Sequence, residues 1–141
     1  MNTRVSEADQ AAFEKAWDKV KDFTMTSRER GYALWSAVLS VTDNDVPGCF
    51  VECGVWKGGS AMLMALALNH RSASRQIVLF DTFAVMSEPG PDDVDIGGHH
   101  ASELMAGKNG PDIAELVKAE APLEQVKQAL ESTGYDMRFV R

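Results

Sequence analysis

The stretch at residues 51–60 constrains the fold most, because a short apolar segment runs there into a turn with three glycines and then into a helix. Gly54 lets the backbone turn sharply, and Gly58 and Gly59 let a ligand approach the first helical turn, where N–H groups lack helical partners. The spacing G-x-x-x-G-G differs from the dinucleotide motif G-x-G-x-x-G, since Trp56 stands at the second glycine, and no P-loop Gly-Lys-Ser/Thr is present. We therefore expect no pyrophosphate ligand, and a dinucleotide-dependent oxidoreductase is the weaker alternative.

Short apolar segments alternate with a helical segment after this point of the chain. Residues 76–80 form an uninterrupted apolar run, which is typical of parallel strands buried on both faces. The predicted strands are residues 49–53, 76–80 and 137–140, and a helix is predicted at residues 60–70. The pattern predicts an α/β fold over residues 47–141.

Two helices are predicted ahead of this domain, over residues 1–46. Ser6 is the candidate cap of the first helix, and apolar residues recur behind it at helical spacing. In the second helix, Thr26 and Glu29 have the spacing of a capping box and precede an apolar stripe. The apolar stripe of the second helix is expected to pack on the sheet.

The segment at residues 81–110 holds five of the eleven glycines and is predicted to be a long loop. A loop of this length inside a domain is usually a lid or a disordered segment, and we expect a lid. Acidic residues and histidines in this loop suggest two further roles, a divalent-ion site and a general base, but a solvated loop is the favoured interpretation. These residues are Asp92, Asp93, Asp95, His99 and His100.

Two acidic side chains end the first two predicted strands. Glu52 stands just before the glycines and would suit a ligand with a cationic amino-acid portion. Asp81 follows the second strand, where an acid can accept both ribose hydroxyls, although an ordinary turn cap is the alternative. S-adenosylmethionine has both chemical groups, so it is the expected ligand.

Several motifs together resemble the macrocin O-methyltransferase family, whose members methylate sugar hydroxyls in macrolide biosynthesis. The motifs are residues 51–60, Leu79-Phe-Asp-Thr-Phe83, Met86, Glu88-Pro89, the helical segment at 25–34 and Pro47-Gly48. The resemblance covers nearly the whole chain. One departure is Val85, which stands where the family usually has glycine, near the expected adenosine.

The resemblance implies a class I methyltransferase (Rossmann-like) fold and S-adenosylmethionine as the methyl donor. Carried over by position, the donor-binding residues are Glu52, Gly54, Gly58, Gly59, Ser60, Asp81, Thr82 and Phe83. It also implies a Mg²⁺ ion that orients the acceptor hydroxyl, with ligands expected in a later part of the family's chains that is absent here. No metal ligand or catalytic residue is therefore assigned within these 141 residues.

The expected function is S-adenosylmethionine-dependent O-methylation of a hydroxyl on a sugar or another secondary metabolite. Since the family's chains continue beyond the third strand, we expect a fold truncated there, with an unpaired sheet edge. Such an edge would favour a homo-oligomer or a complementing chain. The alternative is a non-catalytic cofactor-binding or interaction module that retains only the cofactor half.

Net charge and hydropathy indicate which classes of partner and which cellular location to expect. The net charge of −7 disfavours nucleic acid, because a phosphate backbone would be repelled. No apolar run is long enough to span a membrane, and residues 1–7 lack the order of a signal peptide, so a cytoplasmic location is expected. Cys49 and Cys53 are expected to be buried thiols without a metal.

Overall fold

A computed structural model describes residues 6–141, apart from the side chains of residues 115 and 116. Residues 1–5, with which the predicted N-terminal helical segment begins, lie outside the described residues. The helices are α1 (Glu7–Val20), α2 (Arg28–Asp43), α3 (Gly59–His70), α4 (Ala101–Met105), α5 (Pro111–Lys118) and α6 (Leu123–Glu131). The strands are β1 (Phe50–Cys53) and β2 (Ile77–Phe80), and short 3-10 helices lie at Lys21–Phe23 and Met137–Phe139.

The α/β architecture is confirmed, with a small parallel sheet. β1 pairs with β2 in parallel, with Phe50 opposite Ile77 and Cys53 opposite Phe80. α3 connects the two strands and contacts both of them. Because parallel neighbours need such a crossover, the alternation of strand and helix in the sequence already determined this arrangement. The carboxyl ends of both strands therefore lie at the same edge of the sheet.

The chain divides into two compact units, which are described separately. The first comprises residues 1–81 with 124–141, and the second comprises residues 82–123. In the first unit α3 packs against α1 and α2. Phe13 of α1 and Trp35 of α2 are fully buried there, with ring centroids 6.1 Å apart. The predicted division at residue 46 stays a prediction.

The caps of the first two helices follow from short polar side chains. Ser6 caps α1 as predicted, and its hydroxyl accepts from the Asp9 N–H while the Asp9 carboxylate accepts from the Ser6 N–H, so a complete capping box forms. The cap of α2 lies one residue later than predicted: the capping side chain is Ser27 rather than Thr26. Thr26 is therefore left in the connection between the helices.

A partly buried ion-pair network joins α1, α2 and the end of α3. The Asp9 carboxylate of α1 accepts from Arg71, and its Oδ1 lies 2.8 Å from His70 Nε2 at the end of α3. Arg71 also binds Asp43 of α2 through Nε and Nη2, at 2.7 and 3.0 Å. These bonds hold the pKa of Asp9 well below its ordinary value, although burial opposes the shift. The network fixes the helix ends relative to each other.

The two cysteines are exposed, so the prediction of buried thiols is wrong. Side chains alternate between the faces of a strand, and Val51 and Cys53 share the face of β1 that is exposed. Phe80 of β2 is also 58% exposed, so the prediction of strands buried on both faces fails for this end of the sheet. Within the described residues β1 pairs only with β2. Pairing of its other edge with a second chain stays a prediction.

The predicted third strand is corrected as well. Met137–Phe139 forms a 3-10 helix, because the Asp136 side chain accepts from the Arg138 N–H and starts a tight turn. Strand-like pairing begins only at Val140, which forms a parallel bridge with Ile77. Tyr135 fixes this segment, since its hydroxyl donates to the Arg75 carbonyl and accepts from the Arg75 N–H, at 2.5 and 2.8 Å.

The second unit contains α4 and α5. α4 lies inside the segment 81–110 that the sequence predicts as a loop. The chain folds back on itself before α4, since the Ala101 N–H donates to the Asp93 carbonyl at 2.8 Å and Val94 forms a bridge with His100. The role of this segment as a lid stays a prediction.

No helix within residues 6–141 combines the length and the apolar character that crossing a membrane requires.

Candidate functional site

The turn between β1 and α3 is held in an unusual backbone conformation. Gly54 and Gly58 have φ angles of 82° and 89°, and Trp56 has a φ of 47°, in the left-handed region that side chains seldom adopt. The Gly54 N–H donates to the Phe80 carbonyl at 2.9 Å, and the Gly58 N–H donates to the Val55 carbonyl at 3.0 Å. Gly54 thus has the turning role that the sequence predicts for it, Gly58 is also left-handed, and Trp56 is strained.

Asp81 holds this turn in place. Its Oδ2 accepts from the Val55 N–H at 2.6 Å and from the Trp56 N–H at 3.2 Å. Two hydrogen bonds to a carboxylate are strong enough to offset the strain at Trp56, which costs about 1–3 kcal/mol. Asp81 therefore joins the end of β2 to the glycine turn. Its predicted contact with ribose hydroxyls stays a prediction.

Glu52 is a half-buried acid at the end of β1. Its pKa is raised to about 7, chiefly by desolvation on burial and also by the nearby Asp81 charge, while hydrogen bonds from the Ser60 hydroxyl and the Ala61 N–H oppose the shift. Its Oε2 is buried and has no hydrogen-bond partner. A buried carboxylate oxygen without a donor is costly, so Glu52 is suited either to hold a proton or to receive a cationic ligand.

A pocket of about 190 Å³ lies beside Glu52 and the glycine turn. Its lining residues are Phe23, Thr24, Met25, Thr26, Glu52, Gly54, Val55, Trp56, Gly59 and Ser60. Four of the predicted donor-binding residues therefore meet at one cavity: Glu52, Gly54, Gly59 and Ser60.

The remaining predicted donor-binding residues lie elsewhere. Gly58 and Asp81 are not part of the pocket wall, although Asp81 holds the turn that forms it. Thr82 and Phe83 belong to the second unit, and their role stays a prediction. The sequence analysis did not identify residues 23–26 as part of the wall. Met25 and Thr26 begin one of the segments that resemble the family, but that motif does not indicate that they line a pocket.

Gly59 is required for the close packing of the chain at the start of α3. A Cβ there would lie 2.6 Å from both the Phe23 carbonyl oxygen and the Thr24 Cβ, whereas a Cβ on Gly54 would meet nothing within 4 Å. The group that approaches the helix start at Gly59 is thus the protein backbone. Its place in the donor-binding set stays a prediction.

These two glycines make a matched pair of variants. Gly59→Ala is expected to lower the free energy of unfolding by about 3 kcal/mol, because rigid backbone must move. Gly54→Ala is expected to cost about 1 kcal/mol, from its positive φ alone. Urea denaturation of both variants checks this, and equal losses would contradict the close approach at Gly59.

The second unit contains the acids and histidines considered above. Asp95 accepts from the backbone N–H groups of His99 and Gly97, and its Oδ2 lies 2.9 Å from His99 Nδ1. These contacts lower the pKa of Asp95, chiefly through the His99 backbone N–H. They form a closed local turn. Across residues 6–141, as far as the structure describes them, no group of three or more metal-ligating side chains occurs.

These features define an α/β protein with a pocket at the turn after its first strand. The model of the macrocin O-methyltransferase (TylF) family matches residues 2–137. The chain belongs to this family.

Its relatives include two enzymes of known reaction. The 8-demethyl-8-(2,3-dimethoxy-alpha-L-rhamnosyl)-tetracenomycin-C 4'-O-methyltransferase of Streptomyces olivaceus is 31% identical over 133 residues, which cover 91% of this chain and 45% of the relative. The demethyldecarbamoylnovobiocin O-methyltransferase of Streptomyces niveus is 36% identical over 70 residues, which cover 49% of this chain and 27% of the relative.

The fold also resembles a solved structure, that of the O-methyltransferase NovP. The TM-score is 0.60 at 28% identity, and the match covers 84% of this chain and 46% of NovP. The chain thus spans about half the length, or less, of these relatives.

Proposed function

We propose that this chain binds S-adenosylmethionine in a class I methyltransferase fold and supplies the donor-binding part of an O-methyltransferase. The observation that carries the proposal is the Glu52 carboxylate, whose Oε2 has no partner at a pocket formed by the glycine turn. Membership of an O-methyltransferase family and the overlap with NovP support it. The acceptor class that the relatives suggest is a hydroxyl on a sugar or another secondary metabolite.

The pocket suits the amino-acid part of this donor. An ammonium group would supply the hydrogen bonds that the Glu52 carboxylate lacks, and its positive charge would favour the ionised carboxylate. Asp81 would hold the turn in shape and offer an acceptor for ribose hydroxyls at the end of β2. Thr82 and Phe83 are included in the proposed donor-binding set through their match to the family motif alone.

When bound, S-adenosylmethionine supplies an electrophilic methyl group on its sulfonium. The protein must then hold the acceptor hydroxyl in line with that group and remove its proton, since positioning and proton transfer provide much of the rate. Within the described residues no side chain can be assigned to the proton transfer. The role proposed for residues 6–141 is donor binding.

The expected Mg²⁺ ion does not fit the side chains that the structure describes. A divalent cation needs several oxygen ligands, and no group of three or more metal-ligating side chains is found among the described residues. No step of the proposed reaction is therefore derived through a metal.

The second candidate, a cofactor-binding module without turnover, uses the same pocket. Incubating the chain with methyl-labelled S-adenosylmethionine and a glycosylated acceptor distinguishes this module from a methyltransferase. Label in the acceptor would exclude this candidate. Donor binding without transfer would favour it for the chain as given.

Isothermal titration of the chain with S-adenosylmethionine and S-adenosylhomocysteine tests the proposal. We expect saturable binding of one ligand per chain, and no binding of NADH, whose pyrophosphate suits another glycine spacing. Asp81→Ala is expected to abolish binding, since it removes the acceptor that holds Val55 and Trp56. Asp81→Asn keeps one oxygen acceptor and is expected to retain weakened binding. A chain that melts cooperatively and binds neither ligand would overturn the proposal.

A further inference from the structure

The connector at residues 23–26, between the first 3-10 helix and α2, is packed tightly against the start of α3. The Thr26 N–H donates to the Thr24 hydroxyl at 3.1 Å, which closes a small turn. At Gly59 the connector backbone leaves no room for a Cβ. The connector thus contacts the start of α3 at Gly59, directly after the turn that Asp81 holds through Val55 and Trp56.

The pocket is too small for a whole donor molecule. Pockets that bury drug-sized ligands measure roughly 300–1,000 Å³, whereas this pocket measures about 190 Å³. Its acidic side chain is Glu52, with Ser60 beside it, while Asp81, the predicted ribose partner, is not part of the wall. This polarity suits the amino-acid half of the donor.

Met25 is the most exposed residue of the connector, so its side chain contributes least to packing of the fold. Its side chain is 51% exposed, although it is large and apolar, and among the pocket-lining residues it is the one exposed large apolar side chain. Burying such a side chain against an aliphatic ligand chain is favourable, and the thioether of methionine adapts readily to the shape of a ligand.

We propose that the connector at residues 23–26 is part of the methyl-donor site, and that Met25 is a specificity-determining residue that packs on the amino-acid half of the donor. This inference rests on the proposed function. The adenosine half lies beyond the pocket and does not depend on Met25. The connector therefore discriminates donors by what is attached to the adenosine.

The test compares two ligands that share the adenosine half. S-adenosylhomocysteine carries the amino-acid portion, and 5′-methylthioadenosine lacks it. For Met25→Ala we expect the Kd of S-adenosylhomocysteine to rise about tenfold, as for the loss of one well-packed apolar side chain. The Kd of 5′-methylthioadenosine is expected to change less than twofold.

Two further variants complete the design. Val46→Ala truncates another exposed apolar side chain, 45% exposed and outside the pocket, and is expected to change neither Kd. Met25→Trp is expected to block S-adenosylhomocysteine while 5′-methylthioadenosine still binds. Circular dichroism melts of all variants are expected to match the wild type, since Met25 is exposed.

The outcomes separate this inference from the proposed function. Equal losses for both ligands in Met25→Ala, or no loss for either, would overturn the inference while the proposed function stands. A wild-type chain that folds but binds neither ligand would overturn the proposed function and the inference together.

Discussion

Glu52→Gln is expected to weaken the binding of S-adenosylhomocysteine about 30-fold at pH 8. The ionised carboxylate would bind the ligand's ammonium group, and hydrogen bonds to charged groups contribute about 1.5–3 kcal/mol each. The glutamine keeps the size of the side chain and an oxygen that can accept from Ser60 and Ala61. The loss of affinity therefore measures the contribution of the negative charge of Glu52.

The same group makes donor binding depend on pH. Since the pKa of Glu52 is raised to about 7, the empty site is mostly protonated at pH 6 and mostly ionised at pH 8. Binding that requires the ionised form is therefore expected to tighten about tenfold between these pH values in the wild type. In Glu52→Gln this dependence is expected to disappear.

The stability of the wild type is expected to change in the opposite direction. Between pH 4.5, the ordinary pKa of a glutamate, and about pH 7, the folded chain keeps a proton that the unfolded chain has lost. Stability therefore falls as the pH rises through this window, by up to about 3 kcal/mol. Glu52→Gln removes this decline and is expected to be more stable than the wild type at pH 8.

Titration calorimetry and urea denaturation at pH 6 and pH 8 measure both effects. Glu131→Gln is the matched control, because Glu131 is exposed at the end of α6. It is expected to behave as the wild type in both experiments. Binding by Glu52→Gln that equals the wild type at pH 8 would remove Glu52 from the donor site.

Asp9→Ala is expected to lower the free energy of unfolding by about 3 kcal/mol. The Asp9 side chain is 9% exposed and binds Arg71, His70 and the Ser6 cap. Removing one partner of a buried ion pair typically costs 3–5 kcal/mol. The lower end applies here because Arg71 keeps Asp43 as a partner.

Urea denaturation at pH 7 of Asp9→Ala and Asp43→Ala checks this prediction. The Asp43 side chain is 46% exposed, so its loss is expected to cost about 1 kcal/mol. The pKa of Asp9 is lowered, so its stabilisation is present above its ordinary pKa of 3.8 and is lost as the pH falls below that value. Equal losses for both variants would show that burial of Asp9 contributes nothing.

The sequence by itself determined the elements whose bounds are set by local sequence signals. β1, α3 and β2 lie within one or two residues of their predicted bounds, and the Ser6 cap and the glycine turn are where the pattern places them. Periodicity, capping side chains and positive φ angles act within a few residues, so a single sequence records them. The family followed from motifs of the same kind.

Only the tertiary structure decided what surrounds these elements. Asp81 reaches the turn at Val55 from another strand, the connector at residues 23–26 closes the pocket, and Cys53 is exposed on an uncovered face of β1. Each depends on contacts between segments distant in the chain, which local periodicity does not encode. The sequence therefore determined which groups the site contains, and packing decided which of them meet.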